Sequence, residues 1–494
     1  VKRSRWSAGL LLGALILGIS TSIAAAHGPM SHLSFHAGNP ESSAHGKMVF
    51  RGEGDAFGFV FFGRKLAPGK TYRLVYRYRD GSVVTPLGEA AANRMGGLVI
   101  RGSAGFDYLP ERADGNYPNG ADLRLVSEEA GDGLIADRLI IFNPWKAVSA
   151  RLQAATMKDE NGKVEAPNGI GLDIYDCRDR LVFSETAGGF SRADHVDVGS
   201  AAKWVTAATV LTLVKDGVLS LDDTTGKWLG WRNKTADSPD GEVTLRQLLS
   251  LTAGYEVAPA QAPAKTPCIY STGGTFVPLE SCVQSLYATG AYAFNRAPGK
   301  FFYYGPLPII VAGRIAEAAS GKPFSELFWE KLGAPLGFDK LQTRYDPANQ
   351  LAGSLWMSLE EYGRFLTMIH RNGKVKNKWI LTPDLVAEQM SDQFEPDTKI
   401  KFSPFNIPQL GNQLYHYGLG VWRECPDPAD ASACDEALTV SSEGGYGWYP
   451  FMDTQRDYYG ILGMYRGAPS PGYVDAYKIL QELKPFIHAG LGVE

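Results

Sequence analysis

Cysteine is scarce in this chain of 494 residues, and what there is forms no metal pattern. The five cysteines (Cys177, Cys268, Cys282, Cys425 and Cys434) include no C-x-x-C and no Cys/His spacing of a zinc site. An excess of one charge is also missing. The formal net charge is −4 with no basic stripe, so no nucleic-acid partner is expected. No glycine-rich phosphate loop is present, which removes the usual signature of a nucleotide cofactor. No G-x-S-x-G elbow is present either, which excludes the common α/β-hydrolase nucleophile turn. Beyond the first 26 residues no apolar run is long enough to span a bilayer.

What is there is ordinary globular composition, 44% hydrophobic and 21% charged, in a chain too long for one core. Two domains are therefore expected. Lys2, Arg3 and Arg5 precede the apolar run Ala8–Ile19, and Ala24-Ala25-Ala26 follows. That is the layout of a secretory signal peptide over residues 1–26, cleaved to leave His27 first, with a periplasmic or secreted product and no membrane span. Export permits disulfides. Cys268 with Cys282 and Cys425 with Cys434 are sequence-local pairs, although spacing does not prove connectivity. Cys177 is left over in an apolar strand-like run and reads as a buried free thiol. His27, His32, His36 and His45 lie among Gly, Ser, Pro and Asn and read as a polar tail rather than a metal site.

Residues 27–157 read as a small all-β sandwich. Phe57–Phe62, Tyr72–Tyr78, Gly97–Ile100, Ala121–Val126 and Leu139–Phe142 are short β-branched and aromatic runs separated by turn signals. The stretch Leu87 to Gly102 resembles small secreted β-sandwich modules. No catalytic constellation is visible there. Trp145–Met157 is either the last piece of the sandwich or an opening helix. From 158 to 494 the pattern is mixed. Gly169–Tyr175 and Arg180–Phe183 predict a hairpin. Ser200–Asp216, Thr244–Ser250 and Leu307–Ala318 predict helices. Tyr417–Trp422, Ala437–Val440 and Tyr458–Met464 predict strands, and Val474–Leu483 a closing helix. Strands at both ends with helices between predict an α/β (α+β) domain, with an antiparallel sheet built from both termini of the domain and a helical insertion.

The candidate chemistry starts at Val198-Gly199-Ser200-Ala201-Ala202-Lys203. Ser200 would open a helix, where the dipole is positive, and Lys203 would lie one turn on, on the same face. A serine needs a base to become a nucleophile, and a desolvated lysine has a lowered pKa. Alone, S-x-x-K is equally a capping serine and a solvated lysine. Further stretches follow in order: Leu213 to Asp223, Thr244 to Gly254, Ala297-Pro298-Gly299 to Tyr304, Ala352-Gly353-Ser354 to Phe365, and Tyr417-Gly418-Leu419-Gly420. Together these resemble the serine β-lactamase-like hydrolases, a family that includes class C β-lactamases, D,D-peptidases, D-aminopeptidases and related esterases. The resemblance runs from about Gly169 to the C-terminus.

The resemblance implies a β-lactamase/transpeptidase-like fold and a set of site residues. Tyr304 takes the place of the catalytic tyrosine, with Tyr303 as a rival one residue away. Either Lys203 or a Tyr304 tyrosinate would be the base. Ser441 to Gly447 matches the last motif, so the backbone N–H groups of Ser200 and Gly445 would form the oxyanion hole. Ser442, Glu443, Gly444 and Tyr446 would line the substrate. Two departures touch recognition. Pro306 stands where the family has an asparagine, and Ser442 where it has a lysine or histidine. Both disfavour β-lactams and D-Ala-D-Ala ends. Tyr446, Trp448, Tyr449 and Phe451 would suit an apolar acyl group or are plain core. The resulting expectation is a secreted serine hydrolase of a small ester or amide, needing no cofactor or metal. A β-lactamase or D-amino-acid peptidase, and a non-catalytic envelope-binding protein, are the alternatives. Oligomeric state is not readable.

Overall fold

A computed structural model describes residues 31–493 except 38–40, 54–55, 79–83, 106–120, 128–132, 137–143, 160, 235–238, 257–276, 290–292, 295–296, 346–350, 426–433, 435–438 and 467–471. The predicted signal segment, His27, Cys268 and the Leu139–Phe142 run lie outside the described residues. The chain falls into two compact units: one runs up to Ala147 and includes the segment from Phe486 on, and the other is Val148–Pro485.

The first unit holds β1 (Ser31–Ala37), β2 (His45–Glu53), β3 (Ala56–Arg64), β4 (Thr71–Tyr78), β5 (Val84–Ala91), β6 (Leu98–Gly105), β7 (Ala121–Ser127) and β8 (Leu134–Ala136). The separate N-terminal sheet region is there, hydrogen-bonded in the single order β5-β4-β7-β8-β1-β2-β3-β6 rather than as two sheets. Its two outer strands also approach each other: a Cβ on Gly88 of β5 would meet the Ile100 side chain of β6. Leu33, Phe35, Met48, Phe61, Leu74, Leu123 and Leu125 form its buried face. The predicted histidine tail is a correction: Ser31–Ala37 is a strand paired to β2, with Leu33 and Phe35 inward. The period-two alternation of Leu33 and Phe35 outweighs the polar residues between them. Trp145–Met157 resolves as helix α1 (Pro144–Ala155).

The second unit is built on a seven-stranded antiparallel sheet. Its strands are β9 (Ile170–Tyr175), β10 (Leu181–Ala187), β11 (His416–Tyr417), β12 (Trp422–Glu424), β13 (Thr439–Ser441), β14 (Tyr449–Asp453) and β15 (Tyr458–Met464). Their order is β10-β9-β15-β14-β13-β12-β11, so the two ends of this unit's sequence meet at β9–β15. The main helices are α2 (Ala202–Lys215), α3 (Leu307–Ser320), α4 (Leu359–His370) and α5 (Gly472–Leu491). Every residue of α2 from Ala202 to Leu213 is buried. A helix apolar on all sides belongs at the centre of a domain, and it carries Lys203 inward with it. The short helix Leu245–Leu249 is held by a capping box between Thr244 and Gln247.

Two further expectations change. Tyr417–Trp422 is not one strand but the turn between β11 and β12, closed by the Gly418 N–H on the Val421 carbonyl at 2.8 Å. Gly420 sits there with φ +81°, where a Cβ would lie 2.6 Å from the Lys203 carbonyl oxygen. That close approach needs glycine. Cys177 is a free thiol but exposed, on the turn after β9 rather than in the strand. Cys425 and Cys434 are joined, and Cys282 is also disulfide-bonded. Among the described residues no helix is long and apolar enough to cross a membrane.

Candidate active site

The approach to Ser200 is fixed by backbone. The short strand Val196–Asp197 pairs with Leu355–Met357, and the Val198 N–H donates to the Leu355 carbonyl at 2.9 Å. Gly199 follows with φ +57°, its N–H held by Asp197 Oδ1 at 2.8 Å. Ser200 then lies in a 3-10 turn, Gly199–Ala201, that runs directly into α2. The turn is also held from α4, where the Tyr362 hydroxyl donates to the Ala201 carbonyl at 2.9 Å. Glycine at 444 lets the segment after β13 come in close, since a Cβ there would lie 2.0 Å from the Val198 carbonyl oxygen. Gly445 is different: it is exposed and faces open space. A Cβ on Gly199 would be 3.0 Å from the Gly445 nitrogen, so the Gly445 amide and the Ser200 turn are neighbours.

Lys203 meets Ser200 as the spacing predicts. Its Nζ donates to Ser200 Oγ at 2.8 Å and to the Ala352 carbonyl at 2.9 Å. The same Nζ lies over the Tyr304 ring, 4.6 Å from its centroid, a cation–π contact. Tyr304 rather than Tyr303 therefore faces the pair. Tyr303 packs on Phe402 instead. The Tyr304 ring stacks on Trp422 at 4.9 Å. Pro306 caps the start of α3, so no side-chain amide is supplied from that turn.

The charges follow from burial. Desolvation pushes the Lys203 ammonium down to about 7, and only the attraction of Glu443 works against it. Burial drives the Tyr304 phenol well above its ordinary value, and Glu443 and Tyr417 add to this; its contacts with Ser200 and Trp422 offset part of the rise. The expected tyrosinate is thus disfavoured, and Lys203 is the group able to accept a proton near neutral pH. Burial also lifts the Glu443 carboxyl to about 8.

Strand register corrects one assignment. Ser441 is paired with Trp422 on β12 and Phe451 on β14, so these three share a face, and it is the face on which Trp422 stacks against Tyr304. The Ser442 and Gly444 N–H groups continue the ladder to Pro450 and Trp448. Side chains alternate along a strand, so Glu443 joins the site face and Ser442 turns away. The residue standing toward Lys203 and Tyr304, in the place where the resemblance implies a lysine or histidine, is therefore Glu443 and not Ser442. Tyr446 is partly exposed and packs on Tyr465 at 5.4 Å. Trp448, Tyr449 and Phe451 are fully buried core. Two partners were missed in the sequence. The Ala352 carbonyl has no side-chain signature, whereas Trp422, following the Tyr417–Gly420 marker, was visible but unassigned.

The β-lactamase family model matches residues 164–483. Comparison with curated protein sequences gives no match. A candidate β-lactamase from Bacteroides dorei is 29% identical, with a TM-score of 0.54 over 66% of this chain and 94% of that one. A mutant simvastatin synthase of Aspergillus terreus is 17% identical with a TM-score of 0.51, covering 71% of this chain and 98% of that one. EstCE1, a hydrolase with promiscuous acyltransferase activity, is 18% identical with a TM-score of 0.53, covering 68% and 99%. At those lower identities the likeness is of fold alone. With the family model spanning well over half of its length, the chain belongs to the β-lactamase family, whose members are serine hydrolases.

Proposed function

We propose that the protein is an exported serine hydrolase that cleaves a small ester or neutral amide through an acyl-Ser200 intermediate. The observation that carries this is the 2.8 Å contact between Ser200 Oγ and the fully buried Lys203 Nζ. In the reaction, unprotonated Lys203 takes the Ser200 proton as Oγ bonds to the acyl carbon. The N–H groups of Ser200 and Gly445 receive the developing oxyanion. Tyr304, neutral and beside both, passes the proton on to the leaving group. Water then releases the acyl group by the reverse path. Glu443 supplies no positive charge where the family has a lysine or histidine, and Pro306 at the start of α3 supplies no side-chain amide, so both count against substrates that present a carboxylate, as β-lactams do. The disulfides are compatible with a periplasmic or secreted protein, and residues 27–157 would be an accessory module. The test is a fluorophosphonate probe on the full chain, with the modified residue located by mass spectrometry. Labelling at Ser200 that Ser200→Ala abolishes is expected, together with hydrolysis of short acyl esters and no turnover of nitrocefin. Folded protein that does not label refutes the reading.

A further inference from the structure

Glu443 is a buried acid with no ion-pair partner among the described residues. The residue is 3% exposed and its Oε2 has no hydrogen-bond partner among the described residues, while its own backbone N–H, the Lys203 charge and the Trp422 side chain offset only part of the cost of burial. The groups facing it come from every element around it: Lys203 on α2, Tyr304 ahead of α3, Tyr417 on β11, Glu424 on β12, Tyr449 on β14 and Tyr473 on α5. Five of the six cannot neutralise a carboxylate. The sixth, Lys203, directs its hydrogen bonds at Ser200 and Ala352 and attracts Glu443 only through space, forming no ion pair with it among the described residues. A second lysine nearby, Lys484, pairs with Glu424 at 3.1 Å. An ionised carboxylate buried without a partner costs several kcal/mol, so the cheaper state keeps the proton.

We propose that Glu443 works as a neutral carboxylic acid and is a positioning residue for Lys203, leaving that amine unprotonated so that it can take the Ser200 proton. This rests on the acyl-Ser200 reading and deepens it. The proton balance is simple. The Ser200 proton moves to Lys203 Nζ and then, through Tyr304, to the leaving oxygen or nitrogen, while Glu443 keeps its own throughout. Ionised Glu443 would hold a proton on Lys203 and place negative charge near the developing oxyanion, both of which slow acylation. A raised Glu443 carboxyl and a lowered Lys203 ammonium are the directions this requires. The rate should therefore rise with pH as Lys203 loses its proton and fall again as Glu443 loses its own.

The experiment is the pH profile of kcat/KM for an ester substrate, in wild type and Glu443→Gln. The amide cannot ionise, so the variant should lose the alkaline fall, while its acid limb should stay in place because a neutral Glu443 puts no charge on Lys203. The ratio of rates at pH 9 and pH 7 should rise about tenfold over wild type, the factor expected one unit above a titration. A profile that superposes on wild type, or one that is silenced at every pH as in Ser200→Ala, overturns the proposal. Should the variant not fold, infrared spectra of the wild type decide. A protonated carboxyl band present at pH 7 that fades along the alkaline limb is expected, and its absence overturns the proposal. Fluorophosphonate labelling of wild type separates the two failures. An unlabelled Ser200 defeats the hydrolase reading, whereas a labelled Ser200 with superposed profiles defeats only the role of Glu443.

Discussion

The eight-stranded sheet of the first unit and the seven-stranded sheet of the second are both antiparallel, yet they bury different things. Among the described residues, the buried polar and charged side chains begin at Asp173, and the first unit contributes none. Its core is Leu, Ile, Phe, Met, Tyr and Ala packed by area alone. The second unit buries charge repeatedly and mostly resolves it by pairing. Asp173 takes Arg192 at 2.7 Å, Glu424 takes Lys484 at 3.1 Å and Asp453 takes Arg456 at 3.2 Å. Lys203 and Glu443 depart from that habit, because neither forms an ion pair among the described residues. A fold that satisfies its buried charges elsewhere and leaves two unsettled in one place marks that place as the site.

The sharpest way to break this contrast is to remove the unsettled amine. Lys203→Met keeps the bulk of the side chain and deletes the amine that can take the proton. Hydrolysis and labelling at Ser200 should fall about 10²- to 10⁴-fold, the usual worth of a general base. Thermal stability of the second unit should hold or increase, because a polar amine desolvated by burial is being replaced by an apolar group of similar bulk. A melting curve alongside the rate checks both halves. A stability loss with activity kept would make Lys203 a structural group.

That contrast was partly legible in the sequence. The Ser200–Lys203 turn, the Leu307 helix and the paired termini of the second sheet could be read because apolar periodicity and marker residues coincide there. Less could be read where the deciding partner is backbone or is set by register. The Ala352 carbonyl that holds Lys203 has no side-chain signature. Whether Ser442 or Glu443 faces the serine depends on the pairing of Ser441 with Trp422 and Phe451, and a period of two gives opposite answers for a shift of one residue. Ser31–Ala37 hid as a tail because histidines and serines fill its outward positions. Cys177 looked buried because the apolar run before it is, while the turn that exposes it begins one residue earlier.

The first unit can be broken through area alone. Phe61 is fully buried, with its ring edge-on to Phe35 at 4.9 Å. Phe61→Ala should cost about 3–5 kcal/mol of that unit's stability, seen as a lower melting transition. Folded protein should still label at Ser200 at the wild-type rate. A matching loss of labelling would show that the two units do not divide structure and chemistry as their cores imply. In the second unit Gly444→Ala should cost less, about 1–3 kcal/mol, by pressing a methyl group onto the Val198 carbonyl. Here labelling should fall with stability, because the displaced strand carries the Gly445 amide.

The smallest expected effect comes from the neighbour of Phe61. Phe62 is next in sequence and 41% exposed, paired with Lys47 on β2 and Val99 on β6. One residue along a strand reverses the face, so Phe62 sits on the outer side while Phe61 fills the core. Phe62→Ser should move stability by no more than about 0.5 kcal/mol and leave labelling untouched. Chemical denaturation of Phe61→Ala and Phe62→Ser in parallel would read that difference directly. Should Phe62→Ser cost as much as Phe61→Ala, the outer face of the first sheet would be doing more than meeting solvent, and burial would no longer separate what this unit does from what the second one does.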